Sequence, residues 1–131
     1  MATGIDDPYR FFGLEFDWFA IDEEGSLGLF STGGYGEIPV DVLNHSDCHK
    51  DAASSIPLPH WGTKMVWEDF AQSGLYVFDW QPHQGPYMKV AVPIMSMNIA
   101  LQQQVFQIPN IPRLKISFRV ANQVKIERYN P

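Results

Sequence analysis

The sequence predicts an α+β fold: a mainly antiparallel sheet built from three hairpins, with two or three short helices packed on one face. Two observations lead to this prediction. Pairs of short segments with alternating apolar residues recur along the chain, separated by turn residues, which is typical of β-hairpins. Between the first pair and the second, over residues 39–73, the spacing of apolar residues favours helices instead.

The first hairpin spans residues 17–30. A three-residue loop at 23–25, with Gly25 in the left-handed conformation, pairs Asp22 with Ser26. In this register one face of the hairpin carries Phe19, Ile21, Leu27 and Leu29. The residues of the opposite face are apolar as well, so we expect both faces of this hairpin to be covered.

Two helices are expected between the first and second hairpins. Pro39 suits the first turn of a helix that runs to about residue 50. The second helix is predicted over residues 64–73, with Thr63 as its N-terminal cap and Gly74 at its C-terminal end.

The second hairpin is predicted from residues 75–80 and 87–92, which read as two strands joined by a turn rich in glycine and proline. The stretch 93–112 follows no clear pattern. A short helix near 97–104 is compatible with its apolar residues, and the sequence leaves this region open.

A third hairpin is expected at the C-terminus, since residues 114–120 alternate between apolar and polar. A loop at 121–123 pairs Phe118 with Ile126 and keeps the apolar residues on one side. The other side then carries a basic, solvent-facing group formed by Lys115, Arg119, Lys125 and Arg128.

Length and composition indicate one domain over residues 1–131. The chain is 45% hydrophobic and 14% aromatic, which excludes a disordered protein and allows one well-filled core. The single cysteine, Cys48, excludes an intramolecular disulfide. No apolar run approaches the roughly 18 residues of a membrane span, and the N-terminus does not resemble a secretory signal. These features predict a cytoplasmic protein with no membrane partner.

The net charge of −6 is unevenly distributed. Residues 1–79 hold 14 acidic and three basic residues, whereas residues 80–131 hold six basic residues and one acidic residue. Nucleic-acid binding needs clustered lysine and arginine and is therefore not expected. The acidic portion favours a partner with a basic surface.

One group of residues has metal-ligand spacing. His45, Cys48 and His49 share one face of a helix, as zinc ligands do, and a cysteine beside an imidazole is also a candidate nucleophile. The sequence offers no second cysteine to complete a zinc site. We therefore interpret Cys48 as a small buried residue and both histidines as surface residues, and we expect no cofactor.

Two other patterns are interpreted as structural. The glycine-rich segment 33–36 lacks the lysine of a phosphate-binding loop, so we predict a turn that depends on glycine. The adjacent carboxylates Glu68 and Asp69 face different directions on a helix, which argues against a catalytic pair.

Three segments of the chain, residues 17–25, 30–34 and 74–80, resemble small bacterial proteins of unassigned function, some of which resemble immunity proteins encoded beside polymorphic or contact-delivered toxins. The resemblance is one of pattern and covers about half of the chain. It implies a cytoplasmic binding protein that neutralises a protein partner, such as a toxin with a basic surface, and it implies no enzymatic activity.

The residues expected to bind this partner are acidic or aromatic. They comprise the hairpin tip and the glycine-rich loop with the helix start that follows it: Asp22, Glu23, Glu24, Tyr35, Glu37 and Asp41. Two alternatives remain open. One is a small enzyme or metal-binding protein that uses His45, Cys48 and His49, and the other is a structural or regulatory interaction module.

Overall fold

The fold is that of a computed structural model, which describes residues 10–81 and 84–126. The described residues form these strands and helices: β1 (Asp17–Ile21), β2 (Leu27–Ser31), α1 (Val40–Asn44), α2 (Ser46–Ser54), α3 (Val66–Gln72), β3 (Tyr76–Trp80), β4 (Tyr87–Ala91), α4 (Ile99–Phe106) and β5 (Gln123–Val124). In this part of the chain no helix has the length and apolar character needed to cross a bilayer.

The strands form one mixed sheet in the order β1-β2-β3-β4-β5. The prediction of an α+β fold is confirmed. The prediction of a sheet made of three hairpins is wrong, because the third hairpin does not form. The sheet is mixed, since β2 and β3 are parallel and the other neighbours are antiparallel. The long connection between β2 and β3, which contains α1, α2 and α3, gives the chain room to return and run in the same direction.

The first two hairpins are confirmed. Phe19 pairs with Leu29 and Ile21 with Leu27, in the predicted register. Gly25 has a φ of +83°, as the three-residue loop requires. The second hairpin pairs β3 with β4, and its turn includes residues 82–83, which lie outside the described residues.

The helices differ from expectation in two places, the residue His45 and the start of α3, where Met65 and not Thr63 is the N-cap and no side chain caps the helix. The helix predicted from Pro39 to about residue 50 is divided into α1 and α2 at His45, whose φ of −128° and ψ of 34° are not helical. The open region 93–112 contains α4, and the side chain of Asn98 caps this helix by accepting a hydrogen bond from the Leu101 N–H at 3.0 Å.

Both faces of the sheet are covered, so the prediction that helices lie on one face is wrong. One core lies between the sheet and α2, α3 and α4, and contains Phe19, Leu29, Phe70, Val77, Leu101 and Val105. The other lies against α1 and the C-terminal segment, and contains Trp18, Phe30, Leu43, Phe78, Tyr87 and Phe118. The apolar residues on both faces of the central strands require this double cover.

The third hairpin is absent. Residues 112–116 instead run beside β1: the Ile21 N–H donates to the Pro112 carbonyl at 2.9 Å, and the Leu114 N–H donates to the Ile21 carbonyl at 2.8 Å. Phe118 then packs fully buried against Phe30 and Phe78. The two-residue strand β5 pairs with β4 and not with residues 114–120.

Candidate functional site

The six residues predicted to bind a partner fall in two separate places. Asp22, Glu23 and Glu24 lie at the tip between β1 and β2, whereas Tyr35, Glu37 and Asp41 follow the other end of β2. Five strand residues at about 3.3 Å each separate the two places by roughly 16 Å. The single surface expected from the sequence is therefore divided by the length of the hairpin.

Asp22 was expected to be exposed at the hairpin tip, and this is wrong: only 4% of its surface is accessible. One carboxylate oxygen accepts the N–H groups of Glu24 and Ser26 at 2.9 and 2.8 Å. The other accepts the Phe118 N–H at 2.8 Å. Asp22 therefore closes the loop and fixes the C-terminal segment to it.

Glu24 is engaged with the segment that was expected to form a separate basic face. Its carboxylate accepts hydrogen bonds from the Ser117 hydroxyl at 2.6 Å and from the Arg119 guanidinium at 3.1 Å. These two bonds hold the pKa of Glu24 below its usual range. Of the predicted basic group, Arg128 lies outside the described residues. Glu23 is exposed and remains available to a partner at the tip.

We expect Asp22→Ala to lower the free energy of unfolding by about 2 kcal/mol, because it leaves three main-chain N–H groups without their acceptor. Glu23→Ala, at the neighbouring exposed position, is the matched control and should be nearly neutral. Urea unfolding of both variants measures the difference. Equal stability of the two would show that the tip does not depend on the Asp22 carboxylate.

The glycine-rich loop after β2 is held by Thr32. Its hydroxyl oxygen accepts the N–H groups of Phe16 and Gly34, and its carbonyl accepts those of Tyr35 and Gly36. The loop N–H groups are thus used within the protein, and Gly33 and Gly34 have positive φ angles of 60° and 94°. The segment is a tight turn that displays the side chain of Tyr35.

Tyr35 belongs to a group of exposed apolar side chains, which we call the aromatic patch: Phe12, Leu14 and Tyr35. Their exposed fractions are 59%, 59% and 50%. The rings of Phe12 and Tyr35 meet edge to face with centroids 4.8 Å apart. The Gly13 N–H donates to the Gly34 carbonyl at 2.6 Å, which fixes the turn at residues 10–14 against the loop.

Sequence reasoning missed Phe12 and Leu14. Residues 11–14 read Phe-Phe-Gly-Leu, an apolar run that no hairpin pattern includes. The signal in the sequence was a run of bulky apolar residues that belongs to no predicted helix or strand. It did not show that the run would meet Tyr35, about twenty residues further along the chain.

Carboxylates lie next to the aromatic patch at the same end of the sheet. Asp17, Ser31 and Asp79 are aligned across β1, β2 and β3, and Glu15 follows directly after Leu14. Burial raises the pKa of Asp17 to about 6. The hydrogen bond with Ser31 opposes this rise, and the charges of Glu15 and Asp79 add to it. Burial and the charge of Glu15 also raise the pKa of Asp79. These carboxylates repel one another.

The remaining predicted residues, Glu37 and Asp41, follow the glycine-rich loop at the same end of the first hairpin. Glu37 is partly buried, and its carbonyl accepts the Tyr87 hydroxyl at 2.8 Å. Since Trp18 Nε1 donates to the same hydroxyl oxygen at 3.2 Å, the loop is tied to the aromatic core. Asp41 is exposed in the first turn of α1.

The candidates His45, Cys48 and His49 lie at α2, where the structure assigns a different role to His49. The expectation that His49 is a surface residue is wrong, because it is fully buried. Its Nδ1 accepts the Phe19 N–H at 3.0 Å and so satisfies the outer edge of β1. Burial, and secondarily the charge of His45, lower the pKa of His49 to about 4. Within the described residues no three ligands are placed to hold a metal ion.

A second histidine forms a pair that the sequence did not indicate. The buried carboxylate of Asp69 accepts the main-chain N–H of His60 at 2.8 Å and lies 2.8 Å from its Nδ1. Burial by itself raises the pKa of Asp69. The two bonds with His60 and the charge of His60 outweigh burial, so the pKa of Asp69 is lowered. The nearby Thr63 hydroxyl donates to the His60 carbonyl, so it is engaged in holding the loop. Glu68 is exposed and faces elsewhere, as predicted.

No known family, curated protein or solved structure matches this chain.

Proposed function

We propose that this protein is a cytoplasmic, immunity-type inhibitor that neutralises a bacterial toxin by binding it, and that the toxin docks on the aromatic patch. The observation that supports this most is the exposed edge-to-face pair of Phe12 and Tyr35, at the end of the sheet that carries Asp17 and Asp79. Exposed aromatic side chains in fixed positions are typical anchors of protein interfaces, since they bury much area and lose little entropy.

Charge supports a basic partner at this surface. Glu15 and Asp41 are exposed, and Asp17 and Asp79 are partly buried beside them. A partner with clustered lysines or arginines would offset the repulsion among these carboxylates and would associate faster because of the acidic field.

Two basic residues, Arg10 and Lys50, lie at the turn that carries Phe12. The Arg10 guanidinium donates to the Leu43 carbonyl and to the Ser46 hydroxyl, and it lies over the ring of Phe11. Lys50 also lies over the ring of Phe11, 5.4 Å from its centroid. Both cations therefore contact the face of Phe11, the residue before Phe12 in the chain.

The test begins with the product of the open reading frame next to the gene, where it encodes a toxin-like protein. We expect co-expression of this protein to protect cells from that product. Phe12→Ala and Tyr35→Ala should each weaken the complex by at least about tenfold, as interface anchors do. Calorimetry on purified proteins measures the loss, and circular dichroism checks that the variants fold.

Glu23→Lys is the matched control, because Glu23 lies at the opposite end of the first hairpin. It should change the affinity by less than about twofold. If Glu23→Lys weakens binding while Phe12→Ala and Tyr35→Ala do not, the interface is the hairpin tip. Absence of both binding and protection would refute the proposed function.

A further inference from the structure

A second surface of the protein has the features of a peptide-binding groove. It has a volume of about 700 Å³ and lies between the start of α1 and the segment 110–114. Its lining is mixed in polarity, and its apolar residues include Val40, Ile111, Pro112, Leu114 and Ile126. This volume is within the range of typical ligand sites, so the groove can hold several side chains of an extended segment.

The main chain of Arg113 offers hydrogen bonds on this side. Ile21 bonds to the carbonyl of Pro112 and to the N–H of Leu114, in a parallel bridge opposite Arg113. In such a bridge the N–H and carbonyl of Arg113 itself point away from β1. No β1 residue lines the groove, whereas Arg113 does. Among the described residues neither group has a main-chain partner, so the bridge leaves a short open strand edge at Arg113, a residue that lines the groove.

The charges at the groove favour an acidic occupant. Residues 80–126 contain five basic residues and no acidic residue. Arg113 and Lys125 are exposed at the groove, and neither forms an ion pair within the part of the chain described. Arg119, by contrast, is already paired with Glu24. Asp41 is the carboxylate among the lining residues, so the groove carries two positive charges and one negative charge.

We propose that this groove binds an extended acidic peptide segment of a partner protein. The segment adds as a short strand to the main chain of Arg113, its apolar side chains enter the groove, and its carboxylates pair with Arg113 and Lys125. Such strand addition takes its affinity from main-chain hydrogen bonds and its specificity from the alternate side chains. The inference does not rest on the aromatic patch or on the partner proposed for it; the two surfaces share Asp41, which lines the groove.

The probes are two fluorescein-labelled peptides of about ten residues, one alternating valine with glutamate and the other alternating valine with lysine. Fluorescence anisotropy with the full chain measures binding. The glutamate peptide should bind at least about tenfold more tightly than the lysine peptide, and its affinity should fall as salt rises.

Charge reversals locate the site. Arg113→Glu and Lys125→Glu should each weaken binding of the glutamate peptide by about fivefold. Lys115→Glu is the matched control, since Lys115 is exposed on the same segment but does not line the groove, and it should have less than about a twofold effect. Amide hydrogen exchange adds a main-chain readout: the saturating glutamate peptide should slow exchange of the Arg113 amide by at least about tenfold.

Three results would overturn the proposal. The first is equal binding of the two peptides, and the second is an effect of Lys115→Glu as large as that of Arg113→Glu. The third is a dimer in analytical ultracentrifugation that Arg113→Glu dissociates, since the occupant of the groove would then be a second copy of this chain.

Discussion

Replacing Phe118 with alanine is expected to lower the free energy of unfolding by about 3 to 5 kcal/mol, since a fully buried phenylalanine leaves a large cavity. Its ring packs against Phe30 and Phe78, with centroids 5.9 and 5.3 Å away. Val120→Ala, two residues later and 66% exposed, is the matched control and should be nearly neutral. Urea unfolding followed by tryptophan fluorescence measures both variants.

A second substitution tests where the Phe118 ring lies. A Cβ added at Gly28 would come within 2.8 Å of this ring, so Gly28→Ala alone should destabilise the protein by about 1 to 3 kcal/mol through overpacking. In the Phe118→Ala background the added methyl group enters the cavity. The double variant should therefore be destabilised by less than the sum of the two single substitutions. Strict additivity would place Phe118 away from β2, as the hairpin predicted for residues 114–126 would.

Stability between pH 7 and pH 4 is expected to depend on two buried groups that act in opposite directions. His49 stays neutral in the folded protein down to about pH 4, whereas the unfolded chain takes up this proton below about 6.5. Acidification therefore destabilises the fold through His49. Asp17 takes up a proton in the folded protein below about pH 6, whereas the unfolded chain does so near 3.8. Acidification therefore stabilises the fold through Asp17.

Each shift exceeds two pKa units, which corresponds to about 3 kcal/mol. Because the two contributions nearly cancel, substitution of either residue should uncover the other. From pH 7 to pH 4, Asp17→Asn should lose about 3 kcal/mol of stability relative to the wild type. His49→Asn, which keeps an acceptor for the Phe19 N–H, should gain about as much relative to the wild type over the same range.

The measurement is urea unfolding of the three proteins at several pH values, and the quantity compared is the change with pH. Asp69, whose pKa is lowered, contributes equally to all three proteins and cancels in the comparison. Asp79, whose pKa is raised and whose charge acts on Asp17, cancels only between the wild type and His49→Asn. If Asp17→Asn has the same pH dependence as the wild type, the Asp17 carboxyl does not titrate near pH 6 in the folded state.

The elements that the sequence predicted correctly are those determined by neighbours along the chain. The register of the first hairpin follows from the left-handed Gly25 and from the alternation of apolar residues on either side of it. The C-terminal end of α3 and the strands β3 and β4 follow from similarly local signals, including Gly74 with its φ of 91°. In each case backbone sterics within a few residues leave few alternatives.

The candidate site was only partly predictable. Tyr35 was identified because it follows a glycine-rich turn, but its neighbour Phe12 is brought to it by a hydrogen bond between Gly13 and Gly34. Asp22 was assigned to the surface because hairpin tips are usually solvated, and only the arrival of Phe118 buries it. No local pattern encodes either contact.

Tertiary structure also decided what happens to the C-terminal third of the chain. The alternation over residues 114–120 is compatible with a strand. Burial of a large aromatic ring such as Phe118 on the apolar face above Gly28 stabilises the fold more than that strand would. Tertiary structure likewise places His49 where it accepts a main-chain hydrogen bond at the edge of β1. Burial and hydrogen bonding between segments far apart in sequence depend on which surfaces the topology leaves uncovered. Local periodicity carries no information about those surfaces.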